Sequence, residues 1–135
     1  MSEPVLYRVI IPAEDIDVAQ RFYSRLLNAP GIRVSPGRHY YRCGPVTLAV
    51  YCPKADGDDR TPYANFDHVY FATEELESLH SRATELQCLS TAIGDGGLPM
   101  GEIEKRPWGE RSFYAKDPLG NPLCFVDRAT LFIGG

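Results

Sequence analysis

Three histidines (His39, His68, His80), four cysteines (Cys43, Cys52, Cys88, Cys124) and one tryptophan (Trp108) are the side chains best suited to ligate a metal, move a proton or hold a flat ligand. No two cysteines form a C-x-x-C pair, which excludes a zinc knuckle and a thioredoxin-type redox motif. With no export signal in "MSEPVLYRVII", the thiols are expected to be reduced and the chain cytoplasmic. Cys124 is a nucleophile only if a cation such as Arg8 or His68 lowers its pKa; otherwise it is an inert core thiol. No Ser-His-Asp order and no nucleophile elbow surrounds the serines. Asp56, Asp58 and Asp59 open like a calcium loop, but its glycine and bidentate glutamate are missing from their places, so this is a solvated turn. The run "GDGGLPMG" (94–101) lacks the Lys-Ser/Thr of a phosphate loop and reads as a flexible loop able to border a site. His39 falls on a hairpin surface and His80 on a helix face, and neither is assigned a role.

These groups are placed by a unit used twice. "RVIIPAEDIDVAQRFY" begins at Arg8 and "HVYFATEELESLHSRA" begins at His68, sixty positions later. Val9 then falls on Val69, Ile10 on Tyr70, Glu14 on Glu74, Ile16 on Leu76 and Leu26 on Leu86. Ile16, Ala19, Phe22 or Tyr23, and Leu26 recur at helical spacing behind an Asp15 cap, and Leu76, Leu79, Ala83 and Leu86 repeat the stripe. Each helix is followed by two β-rich runs, "GRHYYRCG" with "VTLAVYCP" and "GERSFYAK" with "NPLCFVD". The second pair turns at Asp117-Pro118-Leu119-Gly120-Asn121. An extra strand is expected before each hairpin, at "GIRVSP" and "GEIEKRP". Residues 1–135 therefore read as one α+β domain of two tandem βαβββ modules, about 5–53 and 66–128, joined by a polar linker at 54–65.

Composition narrows the partners. Fourteen Lys and Arg against eighteen Asp and Glu leave a net charge of −4, which argues against nucleic acid, whose phosphates favour a basic face. No apolar run is long enough to span a bilayer, so no membrane partner is expected.

The opening "RVIIPAEDIDVAQRFYSRLL" and the closing "PWGERSFYAKDPLGNPLCFVD", with Trp108-Gly109, Arg111, Asp117-Pro118 and Gly120-Asn121 in order, carry a resemblance across about Leu6 to Val126. The chain resembles the vicinal oxygen chelate superfamily, which includes glyoxalase I, extradiol dioxygenases and bleomycin-resistance-type binding proteins. The resemblance implies a U-shaped open half-barrel of βαβββ modules, commonly completed as a homodimer. It also implies four inward ligand positions, on the first and last strand of each module. By the repeat these fall at Arg8, Ala49, His68 and Cys124.

That quartet is a guanidinium, a methyl, an imidazole and a thiol. A divalent ion poised to bind vicinal oxygens wants three or more imidazole or carboxylate ligands, and Arg8 would repel it. No metal and no cofactor are therefore expected. The expected ligand-binding residues are Arg8, Tyr51, His68, Tyr70, Trp108 and Cys124, by strand alternation and position. Arg8, if inward, needs a carboxylate partner or an anionic ligand; His68 is either a hydrogen-bonded structural histidine or a base at a cleft floor. The implied function is a metal-independent small-molecule binding protein of the bleomycin-resistance kind. The alternatives are a glyoxalase- or dioxygenase-like enzyme, with Glu102, Glu104 or Glu110 supplying ligands if it uses a metal, or an interaction domain with a vestigial cleft.

Overall fold

Asp15 starts the first helix. Its carboxylate accepts the backbone N–H groups of Asp17 and Val18 at 3.0 and 3.1 Å while its own backbone stays extended. Helix α1 (Ile16–Leu26) then buries Ile16, Ala19, Phe22, Tyr23 and Leu26, so both aromatic candidates lie in the stripe. Asn28, at φ 52°, ends it in the left-handed conformation. Helix α2 (Leu76–Glu85) buries Leu76, Leu79 and Ala83 and leaves through Gln87 at φ 55°, which like Asn28 lies two positions past the last helical residue. The repeat thus extends to the helix exits.

The computed structural model describes residues 2–134. They divide into two units, Met1–Asn65 and Phe66–Gly135. In the first, β1 (Arg8–Pro12), α1, β2 (Ile32–Ser35), β3 (Arg38–Cys43) and β4 (Val46–Tyr51) form a sheet of order β1-β4-β3-β2. In the second, β5 (Val69–Thr73), α2, β6 (Glu104–Lys105), β7 (Arg111–Lys116) and β8 (Pro122–Asp127) form a sheet of order β5-β8-β7-β6. The first strand of each unit runs parallel to the last, and the other pairs are antiparallel. Ile10 sits opposite Ala49 and Tyr70 opposite Cys124, so the two copies match in register as well as in order.

Each sheet buries one face under its helix. In the first unit Ile11, Tyr41, Leu48 and Val50 are buried there. His39 shares that face, directly opposite Val50, and is buried rather than on the hairpin surface. Its Nε2 lies 2.9 Å from the Pro30 carbonyl, which satisfies a group that burial would otherwise penalise. In the second unit Phe71, Phe125 and Phe113 stack in one row, with centroids 4.9 and 5.3 Å apart. His80 meets Phe113 edge-on from α2 and holds the Gly101 carbonyl at 2.9 Å. Asp56 is no solvated turn residue: it accepts from Ser35 and from the Gly37 backbone at 2.8 and 2.7 Å, and pairs with Arg38. The Ser35 hydroxyl first, and then the other donors, hold its carboxyl below the usual range.

Candidate functional site

The face of the second sheet turned away from the phenylalanine stack gathers several of the candidate residues. Tyr70, Cys124 and Tyr114 form one row across β5, β8 and β7, because directly paired residues point to the same side. Cys124 is buried at the centre, and Tyr114, Cys124 and Val126 pack with Met100. His68, just before β5, sets its ring edge-on to Tyr114 at 5.1 Å and lies 6.2 Å from Tyr70. Tyr70 itself is 58% exposed, so the row grades from a closed core to an open ring.

The connection from β6 to β7 frames this row. Arg106 N–H donates to Glu110 O at 2.7 Å, Gly109 N–H to Arg106 O at 2.8 Å, and Gly109 takes φ 97°, which only glycine adopts freely. The tight turn projects Trp108, whose Nε1 donates to Glu110 Oε1 at 2.8 Å. The second oxygen of Glu110 accepts the Phe132 backbone N–H at 2.9 Å. Glu110 is therefore a positioning residue for the indole. Arg106 lies behind, its guanidinium 5.2 Å from the Tyr114 ring centroid. Together with Gly94, Asp95 and Met100, the residues Arg106, Trp108 and Tyr114 line a pocket of about 170 Å³. Gly94 and Asp95 bring the glycine-rich loop to its edge.

Burial sets the protonation states. The Cys124 thiol is pushed up to about 12, so it is not a thiolate near neutral pH. Tyr114 is raised by burial first, and the neighbouring Cys124 and Tyr70 add to it. The imidazole of His68 is lowered, chiefly by burial; Asp67 opposes the shift and Lys116 assists it. A histidine whose folded pKa lies below its unfolded value is protonated more readily when the chain unfolds. Its contribution to stability is complete above the unfolded pKa of about 6.5 and is lost as pH falls through the folded value. Urea midpoints between about pH 7.5 and 5.5 should fall less steeply in His68→Gln than in the parent; parallel slopes would assign the titration elsewhere.

In the first unit, Arg8 and Tyr51 lie on the corresponding face of the sheet. Arg8 is exposed, with its guanidinium carbon 4.9 Å from the Tyr7 ring and 5.4 Å from the Tyr40 ring. Among the described residues it meets no carboxylate, so of the two partners left open for it the structural carboxylate is not found in this unit. Tyr51 is buried beneath Arg38, at 4.2 Å, and Arg60, at 5.4 Å. The six expected residues thus divide. His68, Tyr70 and Cys124 come together around Tyr114, Trp108 lines the adjoining pocket with Tyr114, and Arg8 and Tyr51 belong to the other unit. Tyr114 and Arg106 were not anticipated. Strand alternation opposite Cys124 would have found Tyr114, whereas nothing in the pattern marks Arg106.

Residues 6–125 match the profile of the Glyoxalase/Bleomycin resistance protein/Dioxygenase superfamily. Among solved structures, the chain is similar to a glyoxalase/bleomycin resistance protein from Albidiferax ferrireducens T118, at 20% identity and TM-score 0.70, over 91% of this chain and 98% of that one. A lactoylglutathione lyase from Agrobacterium tumefaciens is similar at 17% identity and TM-score 0.65, over 94% and 96%. The bleomycin resistance determinant encoded on transposon Tn5 is similar at 18% identity and TM-score 0.63, over 92% and 98%. No protein of curated function matches in sequence. At these identities the structural likeness speaks for the fold, and together with the profile it carries one conclusion: the chain belongs to the Glyoxalase/Bleomycin resistance protein/Dioxygenase superfamily.

Proposed function

We propose that this chain is a small-molecule binding protein that works without a metal and takes a flat organic ligand against His68, Tyr70 and Trp108, with Cys124 and Tyr114 as the floor. The observation that carries the reading is the pinned, 40% exposed indole of Trp108 at the edge of a pocket lined also by Met100 and Tyr114, with the half-open ring of Tyr70 in the same unit. Such rings leave apolar area uncovered and ready to stack. The donor set argues against a metal. The family's positions hold a guanidinium and a methyl in the first module, and one imidazole beside a buried thiol in the second. These groups do not fit a divalent ion. Among the described residues, no helix is long and apolar enough to cross a membrane. A homodimer belongs to the same reading, supported by the exposed apolar side chains Val5, Leu6 and Tyr7 before β1 and Leu131, Phe132 and Ile133 after β8.

A thermal-shift screen of planar aromatic compounds in EDTA tests it, with Trp108 fluorescence as the second readout. Ligands that stabilise the fold should quench the indole, and Trp108→Ala should weaken them by about tenfold or more. Stabilisation that appears only after iron(II), nickel(II) or zinc(II) replaces EDTA would overturn the metal-free reading. Ligands indifferent to both Trp108→Ala and His68→Ala would overturn the site.

A further inference from the structure

The first module has a face of its own that this function does not use. Opposite α1 the register sets three rows across the sheet: Arg8, Thr47 and Arg42; then Ile10, Ala49, Tyr40 and Ile32; then Pro12, Tyr51 and Arg38. The third row is neutralised, since Arg38 pairs with Asp56, and Arg60 over Tyr51 pairs with Asp58. The first is not. Among the described residues neither Arg8 nor Arg42 forms an ion pair, and both are exposed. They stand on the two strands flanking Thr47, about 10 Å apart at the backbone by ordinary strand spacing.

The side chain of Arg8 already lies across the middle strand. Its guanidinium reaches the Tyr40 ring on β3, although β4 separates β1 from β3. Two like charges held on either side of a hydroxyl repel each other until an anion sits between them. Beside this row the face turns apolar. Ile32 is 70% exposed and Ile10 45%, and a groove of about 470 Å³ runs along Ile32, Val34, Tyr40, Arg42 and Thr47. In a chain of net charge −4, an unpaired cationic row joined to an apolar groove is a local departure that calls for an occupant of opposite charge.

We infer that the first module binds an amphipathic organic anion, its carboxylate, phosphate or sulfonate held by Arg8 and Arg42 over the Thr47 hydroxyl and its apolar body lying along Ile32 and Tyr40. The site goes beyond the second-module reading and shares no residue with it.

The probe is 8-anilinonaphthalene-1-sulfonate, compared with the uncharged N-phenyl-1-naphthylamine of nearly the same shape, by dye fluorescence on the folded chain. The sulfonate should bind about tenfold or more tightly than the neutral dye. Arg8→Gln and Arg42→Gln should each weaken the sulfonate severalfold, and the double variant should erase its advantage while leaving the neutral dye unchanged. Both arginines are exposed, and circular dichroism will verify that the variants fold. Equal affinity for the two dyes, or sulfonate binding indifferent to both arginines, overturns the inference. So does exclusion of the sulfonate dye as the protein self-associates, which would assign the face to a second copy. Failure of the Trp108 screen leaves this result untouched, because dye binding is read through Arg8 and Arg42.

Discussion

Arg106→Leu should lower the unfolding free energy by about 3–5 kcal/mol, the largest loss expected of any single polar substitution in the second module. The residue is 5% exposed, and its charge is met by backbone oxygens and one hydroxyl. Nε donates to Ser112 Oγ at 3.1 Å, Nη1 to Pro99 O at 3.2 Å, and Nη2 to Met100 O, Glu102 O and Ser112 O at 3.3, 2.9 and 2.8 Å. The guanidinium is the clamp that joins the 99–102 loop to β7. Leucine fills part of the volume but withdraws the donor from Pro99 O, Glu102 O and both oxygens of Ser112, the last two at buried bonds, while Met100 O keeps only the Tyr114 N–H. Arg106→Lys should recover only part of the loss, because one ammonium cannot supply the planar fork. Urea unfolding with an unchanged m value measures the effect, and a loss below about 1 kcal/mol would show that the loop holds without the clamp. The pocket should suffer in parallel, since Met100 and Tyr114 sit on the two segments that Arg106 joins.

That arginine also marks how far the residue pattern reaches. Helix positions, the doubled βαβββ order and the hairpin at Asp117 were legible because periodicity and turn chemistry are local properties. Asp15 caps where a cap was expected, and β2 and β6 lie within the two segments named for them. The sixty-residue offset brings Ile10 and Tyr70 to matching ladder positions, opposite Ala49 and Cys124, while Arg8 opens β1 and His68 lies just before β5. What the pattern could not supply was the company each side chain keeps. His39 lies in a stretch of alternating strand residues, and which face is buried depends on where α1 packs; the Pro30 carbonyl that satisfies it comes from the turn between α1 and β2. Asp56 looked solvated because its partners, Ser35, Gly37 and Arg38, come from another hairpin. Arg106 looked like any loop arginine. The partners of these buried polar groups lie from four residues away, at Arg106, to about twenty, at Asp56, and the way the chain folds back to bring them together leaves no trace in periodicity.

Asp117→Ala should cost about 3 kcal/mol, although the residue lies in a turn, where substitutions are usually mild. Its Oδ1 accepts the backbone N–H groups of Leu119 and Asn121 at 2.8 and 2.9 Å, and Oδ2 accepts Asn121 Nδ2 at 2.8 Å. Asp117 N–H donates to Asn121 O at 2.9 Å, and Gly120 N–H returns to Asp117 O at 3.1 Å. Asp117 and Asn121 are both buried, so three donors would lose their acceptor with little water to replace it. Asp117→Asn should cost less, since one amide oxygen remains to accept. The loss should also be directional. This turn sets the register of β7 on β8, and through it the row in which Tyr114 faces Cys124. Amide exchange in Asp117→Ala should therefore quicken along Arg111–Lys116 and Pro122–Asp127 before it quickens in α1. Uniform quickening would mean that the turn adds to global stability without fixing the register, and a loss under about 1 kcal/mol would mean that water reaches the orphaned donors after all. Because the carboxylate serves the turn and the turn serves the row, the test measures how firmly a five-residue connection holds the floor of the site in place.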